Sequence, residues 1–224
     1  MTDPVRSAEF WVILGPDHAG KSSVLSAVAR NTGWPAVSYD DQFLAAEFAM
    51  IGHLRDDFLS EALHGVGERY SADFVLSILQ AAVLFLRDEA VRHSGTGPVL
   101  VDSYYYKILA KCRLSGLVNE VLFRWWRSFP APRGVILLDT DPGTAWRRAA
   151  GDGGVNRFEH YGDRPTRRAF DRFQRDLRRQ LLVEVGGVPV TRLDAGLGID
   201  EAARRVEGIV RSDHEHRYQL AVPA

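Results

Sequence analysis

The sequence predicts an α/β fold built on a parallel sheet, and two observations carry that expectation. Short apolar runs rich in β-formers alternate with longer segments of helical periodicity, which is how βαβ units read. The apolar runs are continuous rather than alternating, as in strands covered on both faces. The expected strands are Phe10–Leu14, Ala36–Tyr39, Pro98–Asp102, Gly134–Leu138 and Val188–Leu193. Between them lie the expected helices Lys21–Arg30, Asp41–Leu63, Ser71–His93, Tyr104–Leu114, Leu117–Phe129, Pro142–Ala150, Arg164–Val185 and Asp200–Arg211. In Ser71–His93 the residues Phe74, Ile78, Ala81, Ala82, Phe85 and Leu86 recur at helical spacing. The glycines of Gly151–Asp163 break the pattern and predict a mobile loop.

At 224 residues the chain fits one domain with a full core, expected over 1–211, with a lid at about 143–163 and a tail over 212–224. A net charge of -1 gives no overall field that would favour nucleic acid or an acidic membrane. The single Cys112 excludes an intrachain disulfide and fits a reducing compartment. Met1–Ala8 has no apolar signal core and Phe10–Leu14 is too short to span a bilayer, so the expected location is cytoplasmic. Lysine is confined to Lys21, Lys107 and Lys111, which makes each of them a position of interest.

Directly after the first strand stands Gly15-Pro-Asp-His-Ala-Gly20-Lys21-Ser22, a match to G-x-x-x-x-G-K-[ST]. Glycines let the backbone wrap a phosphate while successive amides, here those of Asp17, His18, Ala19, Gly20, Lys21, Ser22 and Ser23, point inward as an anion nest. The following helix adds its positive N-terminal end. In such a loop Lys21 reaches the β- and γ-phosphates and the Ser22 hydroxyl ligates Mg²⁺, so ATP and Mg²⁺ are the expected cofactors. The fold class thereby sharpens to a three-layer P-loop NTP hydrolase-like fold: a five-stranded parallel sheet, helices on both faces and a flexible lid.

Asp102 ends an apolar strand, where it serves either as a second Mg²⁺ ligand or as a cap on the helix from Tyr104. Arg147, Arg148 and Arg157 flank the glycine break and are the cations expected to close over the transferring phosphoryl group. The later arginines, from Arg164 to Arg179, interleave with Asp171 and Asp176 and read as a solvated helix face. Asp40 and Asp41, after the second strand, fit either a general base for a hydroxyl acceptor or an N-cap. Tyr104, Tyr105 and Tyr106 fit an acceptor wall or internal packing, and His214 and His216 fit a solvated tail better than a metal site.

Over nearly its whole length the chain resembles thymidylate kinase, within the nucleoside monophosphate kinases. The likeness rests on the P-loop with Asp17, on Asp102-Ser103-Tyr104, on Leu138-Asp139-Thr-Asp-Pro142 with Arg147-Arg148, on Asn156-Arg157-Phe158-Glu159, and on Arg192-Leu193-Asp194-Ala195. It implies transfer of the ATP γ-phosphate to dTMP or a related monophosphate, Asp17 near the acceptor sugar, and a homodimer. Three departures bear on the acceptor. Ser103 replaces an arginine that contacts the acceptor phosphate, His18 replaces a P-loop arginine of one subgroup, and the acceptor helix lacks a base-reading arginine near Gln80. Gln80 fits either a base-reading amide or a helix-face residue. Either Arg55, Lys107 or Arg113 supplies the missing charge, or the acceptor is not a monophosphate. The alternatives are a nucleoside or small-metabolite hydroxyl kinase using Asp40 or Asp41, and a nucleotide-binding regulatory protein without transfer.

Overall fold

The structure, a computed structural model, describes residues 9–95, 97–151, 154–194 and 196–221. Five parallel strands form one sheet: β1 (Phe10–Leu14), β2 (Ala36–Val37), β3 (Val99–Asp102), β4 (Gly134–Asp139) and β5 (Val190–Asp194). Their order is β2-β3-β1-β4-β5. The central β1 pairs Ile13 with Asp102 of β3 and Leu14 with Leu137 of β4. Nine α-helices complete the described chain: α1 (Lys21–Thr32), α2 (Ala49–His53), α3 (Ser60–His64), α4 (Ala72–His93), α5 (Tyr104–Leu114), α6 (Glu120–Arg127), α7 (Pro142–Gly151), α8 (Arg167–Glu184) and α9 (Ile199–Ala221).

Strand alternation divides the core into two layers. Phe10, Val12 and Leu14 pack with Val99, Val101, Val135 and Leu137 against α4, α5, α6 and α8. Trp11 and Ile13 pack with Leu100, Ile136 and Leu138 against α1 and α9. Both faces of the three inner strands are therefore dry, as their unbroken apolar character requires. β5 departs from that pattern: it is an edge strand, Val190 is 38% exposed, and of its residues only Leu193 is buried.

Local chemistry sets the helix ends. The side chains of Ser71, Asn119 and Thr166 each accept from a backbone N–H three residues on, starting α4, α6 and α8. Helix α9 runs on to Ala221, past the expected end at Arg211, and carries His214 and His216 on its last turns. Trp126 of α6 is fully buried whereas its neighbour Trp125 is 42% exposed.

The expected helix Asp41–Leu63 is broken. It consists of 3₁₀ turns at Asp41–Phe43 and Ala46–Phe48, then α2, a π-helical segment Leu54–Leu59, and α3. Arg55 explains much of this: its guanidinium donates to the Tyr39 carbonyl at 2.8 Å and to Asp41 Oδ2 at 2.7 Å. These bonds fold the segment back onto the end of β2. Asp152 and Gly153 of the expected lid, Ala195, and the terminal stretches 1–8 and 222–224 lie outside the described residues. Among the described residues no helix is long and apolar enough to cross a membrane.

Candidate active site

The P-loop joins β1 to α1 at the C-terminal edge of the sheet. At that edge the connections from the adjacent β1 and β4 leave toward opposite ends of the sheet, which is where open α/β sheets place ligands. Gly15 is there because nothing larger fits: a Cβ would stand 2.8 Å from the Leu138 carbonyl oxygen. Gly20 caps α1 at φ 88°, a conformation that favours glycine. Lys21 is 8% exposed and donates to the Pro16 carbonyl at 3.1 Å. Burial, reinforced by the nearby Lys107 ammonium, lowers its pKa from 10.5 to about 7 against the opposing pull of Asp102 and Asp17.

Two cavities flank the loop. One, of about 310 Å³, is bordered by His18, Gly20, Ser23, Arg148, Asp194 and Leu197. Arg148 of α7 donates to the Ala19 carbonyl at 3.1 Å, which fastens the expected lid helix to the P-loop. Arg147 points away, is exposed, and donates to Thr144.

The other cavity, of about 550 Å³, opens on the far side of Lys21 and Ser22. Asp40, just past β2, borders it and accepts from Ser22 Oγ at 2.8 Å. Asp102, 6% exposed, accepts from Ser103 Oγ at 2.7 Å and from Ser38 Oγ at 3.2 Å. Ser22, expected with Asp102 to organise Mg²⁺, thus bonds to Asp40, while Asp102 beside it is held by Ser38 and Ser103. Ser103 and Tyr104 both have positive φ, 59° and 47°, so the chain turns sharply at the end of β3. That turn sends the Tyr104, Tyr105 and Tyr106 side chains into the core, at 0%, 6% and 2% exposure. Packing, not an acceptor wall, is their role.

A buried polar network closes the near side of this cavity. Asp17 Oδ1 accepts from Lys107 Nζ at 2.7 Å and from Lys111 Nζ at 2.8 Å, both lysines rising from one face of α5. Gln174 of α8 donates to Asp17 Oδ2 and accepts from the Asp17 amide, each at 2.9 Å. Burial alone would raise the Asp17 carboxyl, but Lys107, Lys111 and Lys21 together hold it well below the usual carboxylate range. Glu159 pairs with His18 Nε2 at 3.2 Å and with the Asn156 side chain at 2.8 Å, which docks the expected lid loop on the P-loop. Arg157 is largely exposed and borders the cavity.

The sequence reading named Lys21, Ser22, Asp17, His18, Asp40, Asp102 and Arg157, and these residues share the cavity. Asp41 lies outside it, exposed and paired with Arg55. Gln80 is half-buried but does not border it; Leu79, one residue earlier on α4, does. Arg113 faces Glu120 and Glu184 away from the site. Lys111 was marked only as a rare lysine and not assigned to the site, and Gln174 was missed. The signal for Lys111 was available, since two of the rare lysines stand four residues apart on the helix after β3; Gln174 had none.

No family model matches the chain, and no curated protein matches it in sequence. Solved structures do match in fold. A deoxyadenosine kinase from M. mycoides, with products dCMP and a flexible dCDP bound, aligns at a TM-score of 0.64 and 11% identity, covering 91% of this chain and 99% of that one. With dATP bound the TM-score is 0.57 at 12% identity over 90% and 99% of the two chains. With dCTP bound it is 0.55 at 13% over 91% and 99%. The chain has the fold of these kinases. It is a P-loop NTPase-like α/β fold with a five-stranded parallel sheet.

Proposed function

We propose that the protein is an Mg²⁺- and ATP-dependent phosphotransferase whose acceptor is a hydroxyl group of a nucleoside-like small molecule, with Asp40 as general base. The observation that carries this reading is the placement of Asp40. Its side chain is 37% exposed, borders the 550 Å³ cavity, and is hydrogen-bonded to Ser22 of the P-loop. A hydroxyl acceptor must lose a proton as it attacks, and a carboxylate beside the donor phosphates can take it. The new bond forms between the acceptor oxygen and the γ-phosphorus. The bond from that phosphorus to the β-bridging oxygen breaks, ADP leaves, and Asp40 carries the proton.

Charge supports the same choice of acceptor. Among the described residues bordering the cavity, Lys21, Arg55, Lys107, Lys111 and Arg157 are matched by Asp17, Asp40, Asp56, Asp102 and Glu159. A dianionic acceptor would find no surplus of cations, whereas an uncharged one needs none. The solved structures that match in fold are of a deoxyadenosine kinase, which adds weight to a nucleoside-like acceptor. A monophosphate such as dTMP remains the competing reading, supported by the overall resemblance to thymidylate kinase.

The residues around Ser22 fit a hard divalent cation. Ser22 Oγ and the buried Asp102 offer oxygen donors alone, as Mg²⁺ requires, which leaves Asp40 to act as the base. Among the described residues no group of three or more His, Cys, Asp or Glu forms a metal cage, so nucleotide phosphates and water would complete the shell. When bound, Mg²⁺ supplies charge neutralisation to the phosphates. Lys21 and the P-loop amides hold the donor, Arg148 anchors the loop backbone, and Arg157 is the lid cation free to approach the transferring group.

The test is ADP release with product detection from Mg²⁺–ATP across nucleosides, nucleoside monophosphates and small alcohols. Turnover on unphosphorylated acceptors is expected. Turnover confined to monophosphates would overturn the hydroxyl assignment, and nucleotide binding with no turnover on any acceptor would favour a regulatory role.

A further inference from the structure

Asp17 is more than a P-loop residue with an ion pair. One of its oxygens takes both Lys107 and Lys111, at 2.7 and 2.8 Å, and the other takes Gln174 at 2.9 Å. Its own backbone N–H donates to Gln174 Oε1 at 2.9 Å, so Gln174 holds Asp17 through both its main chain and its carboxylate. Gln174 is 1% exposed and is tied in turn to the Glu159 carbonyl at 3.1 Å. The carboxylate has 5% of its side-chain surface exposed and each lysine 11%, yet all three residues border the acceptor cavity.

Two ammonium groups converging on one oxygen, on a cavity wall, is the arrangement that binds a phosphate oxygen. Here a side chain of the P-loop occupies it. Removal of that carboxylate would leave the Lys107 and Lys111 ammonium groups without their partner, on the wall of a site built to hold phosphates on one side. With the carboxylate in place, an incoming phosphorylated acceptor meets a fixed negative charge and lysines already paired.

We propose that Asp17 is a specificity-determining residue: a built-in anion that occupies the Lys107–Lys111 pair and so excludes phosphorylated acceptors in favour of uncharged ones. The proposal deepens the hydroxyl-acceptor reading and rests on it for its purpose, but its test does not depend on turnover. An ammonium freed to lie about 4 Å from a bound phosphate changes anion affinity by more than a factor of ten at the effective dielectric of a partly buried site.

The experiment is equilibrium binding of inorganic phosphate and of dTMP, with the P-loop filled by saturating Mg²⁺–ADP so that the donor nest does not compete. The wild-type protein is expected to bind both anions weakly. Asp17→Asn keeps an oxygen for Gln174 and is expected to bind them at least about tenfold more tightly. Adding Lys111→Met to Asp17→Asn is expected to abolish most of that gain. Where Asp17→Asn lacks a cooperative thermal transition, Asp17→Ser takes its place. A folded Asp17 variant with no gain in anion affinity would overturn the proposal. So would a gain that survives the loss of Lys111, or a wild-type protein that already binds phosphate as tightly as the variant. Absence of turnover on every hydroxyl acceptor would sink the proposed function while leaving these binding outcomes readable.

Discussion

Nucleotide binding should draw a proton onto Lys21. Burial first, and the Lys107 ammonium second, lower the Lys21 pKa from 10.5 to about 7 in the free protein. At pH 8.5, above that value, the neutral amine is the favoured form in the free protein. Phosphates seated in the P-loop supply the opposite charge at close range and restore the ammonium form. Binding of Mg²⁺–ADP at pH 8.5 is therefore expected to be accompanied by net proton uptake, in a range where the nucleotide's own phosphate, with a second ionisation at ~6, is already fully ionised. The sign follows from linkage: a ligand that binds the protonated form loses about tenfold in affinity per pH unit above about pH 7. The same depressed lysine makes the unfolded chain the better proton binder between about 7 and 10.5, so this group's contribution to ligand-free stability rises with pH across that window. The assay is titration calorimetry at pH 8.5 in buffers of different ionisation enthalpy, repeated with Lys107→Met, which removes the repulsion and should reduce the uptake. Zero proton uptake, with an affinity flat from pH 7 to 9, would refute the placement of Lys21.

Asp40→Asn should lower kcat by about 10²- to 10⁴-fold while leaving Mg²⁺–ADP affinity within a few-fold, whereas Asp41→Asn, altering an exposed residue outside the cavity, should leave kcat nearly unchanged; equal losses in steady-state assays would contradict the assignment. Gly15→Ala should weaken nucleotide binding and lower the thermal midpoint, because its Cβ would stand 2.8 Å from the Leu138 carbonyl and push the loop off β4; an unchanged ADP titration would show that the loop tolerates the shift. Phe123→Ala, which empties a fully buried site on α6 far from the P-loop, should cost about 3–5 kcal/mol in denaturant unfolding, and a loss under about 1 kcal/mol would mean that the layer beneath α6 collapses to fill the space.

The phosphate side of the site was legible because few residue types can build it. Gly15, Gly20, Lys21 and Ser22 follow a continuous apolar strand, and each is demanded by sterics or charge. The inner strands were legible for a related reason, since dry strands on both faces leave an unbroken apolar signature in β1, β3 and β4. The acceptor side was not. Asp40 and Asp41 are neighbours of identical chemistry, and only the fold separates them, by bonding Asp40 to Ser22 and Asp41 to Arg55. The stretch Asp41–Leu63 reads as one helix by local pattern, yet Arg55 bonds across the chain to Tyr39 and Asp41 and a π-helical segment replaces regular turns. The three consecutive tyrosines Tyr104–Tyr106 fit an acceptor wall or internal packing equally by sequence, and two positive-φ residues at the end of β3 turn them into the core. The Asp17–Lys107–Lys111–Gln174 network joins residues up to 157 positions apart, a separation at which no local pattern carries information.

The central claim is that the acceptor presents a hydroxyl, and the bond made in the product tests it most directly. Phosphorus NMR of the reaction with Mg²⁺–ATP and each accepted substrate distinguishes a new phosphomonoester from a new phosphoanhydride. A phosphomonoester is expected, formed by the wild-type protein and largely lost in Asp40→Asn. A phosphoanhydride on a nucleoside monophosphate, formed equally well without the Asp40 carboxylate, would contradict the claim.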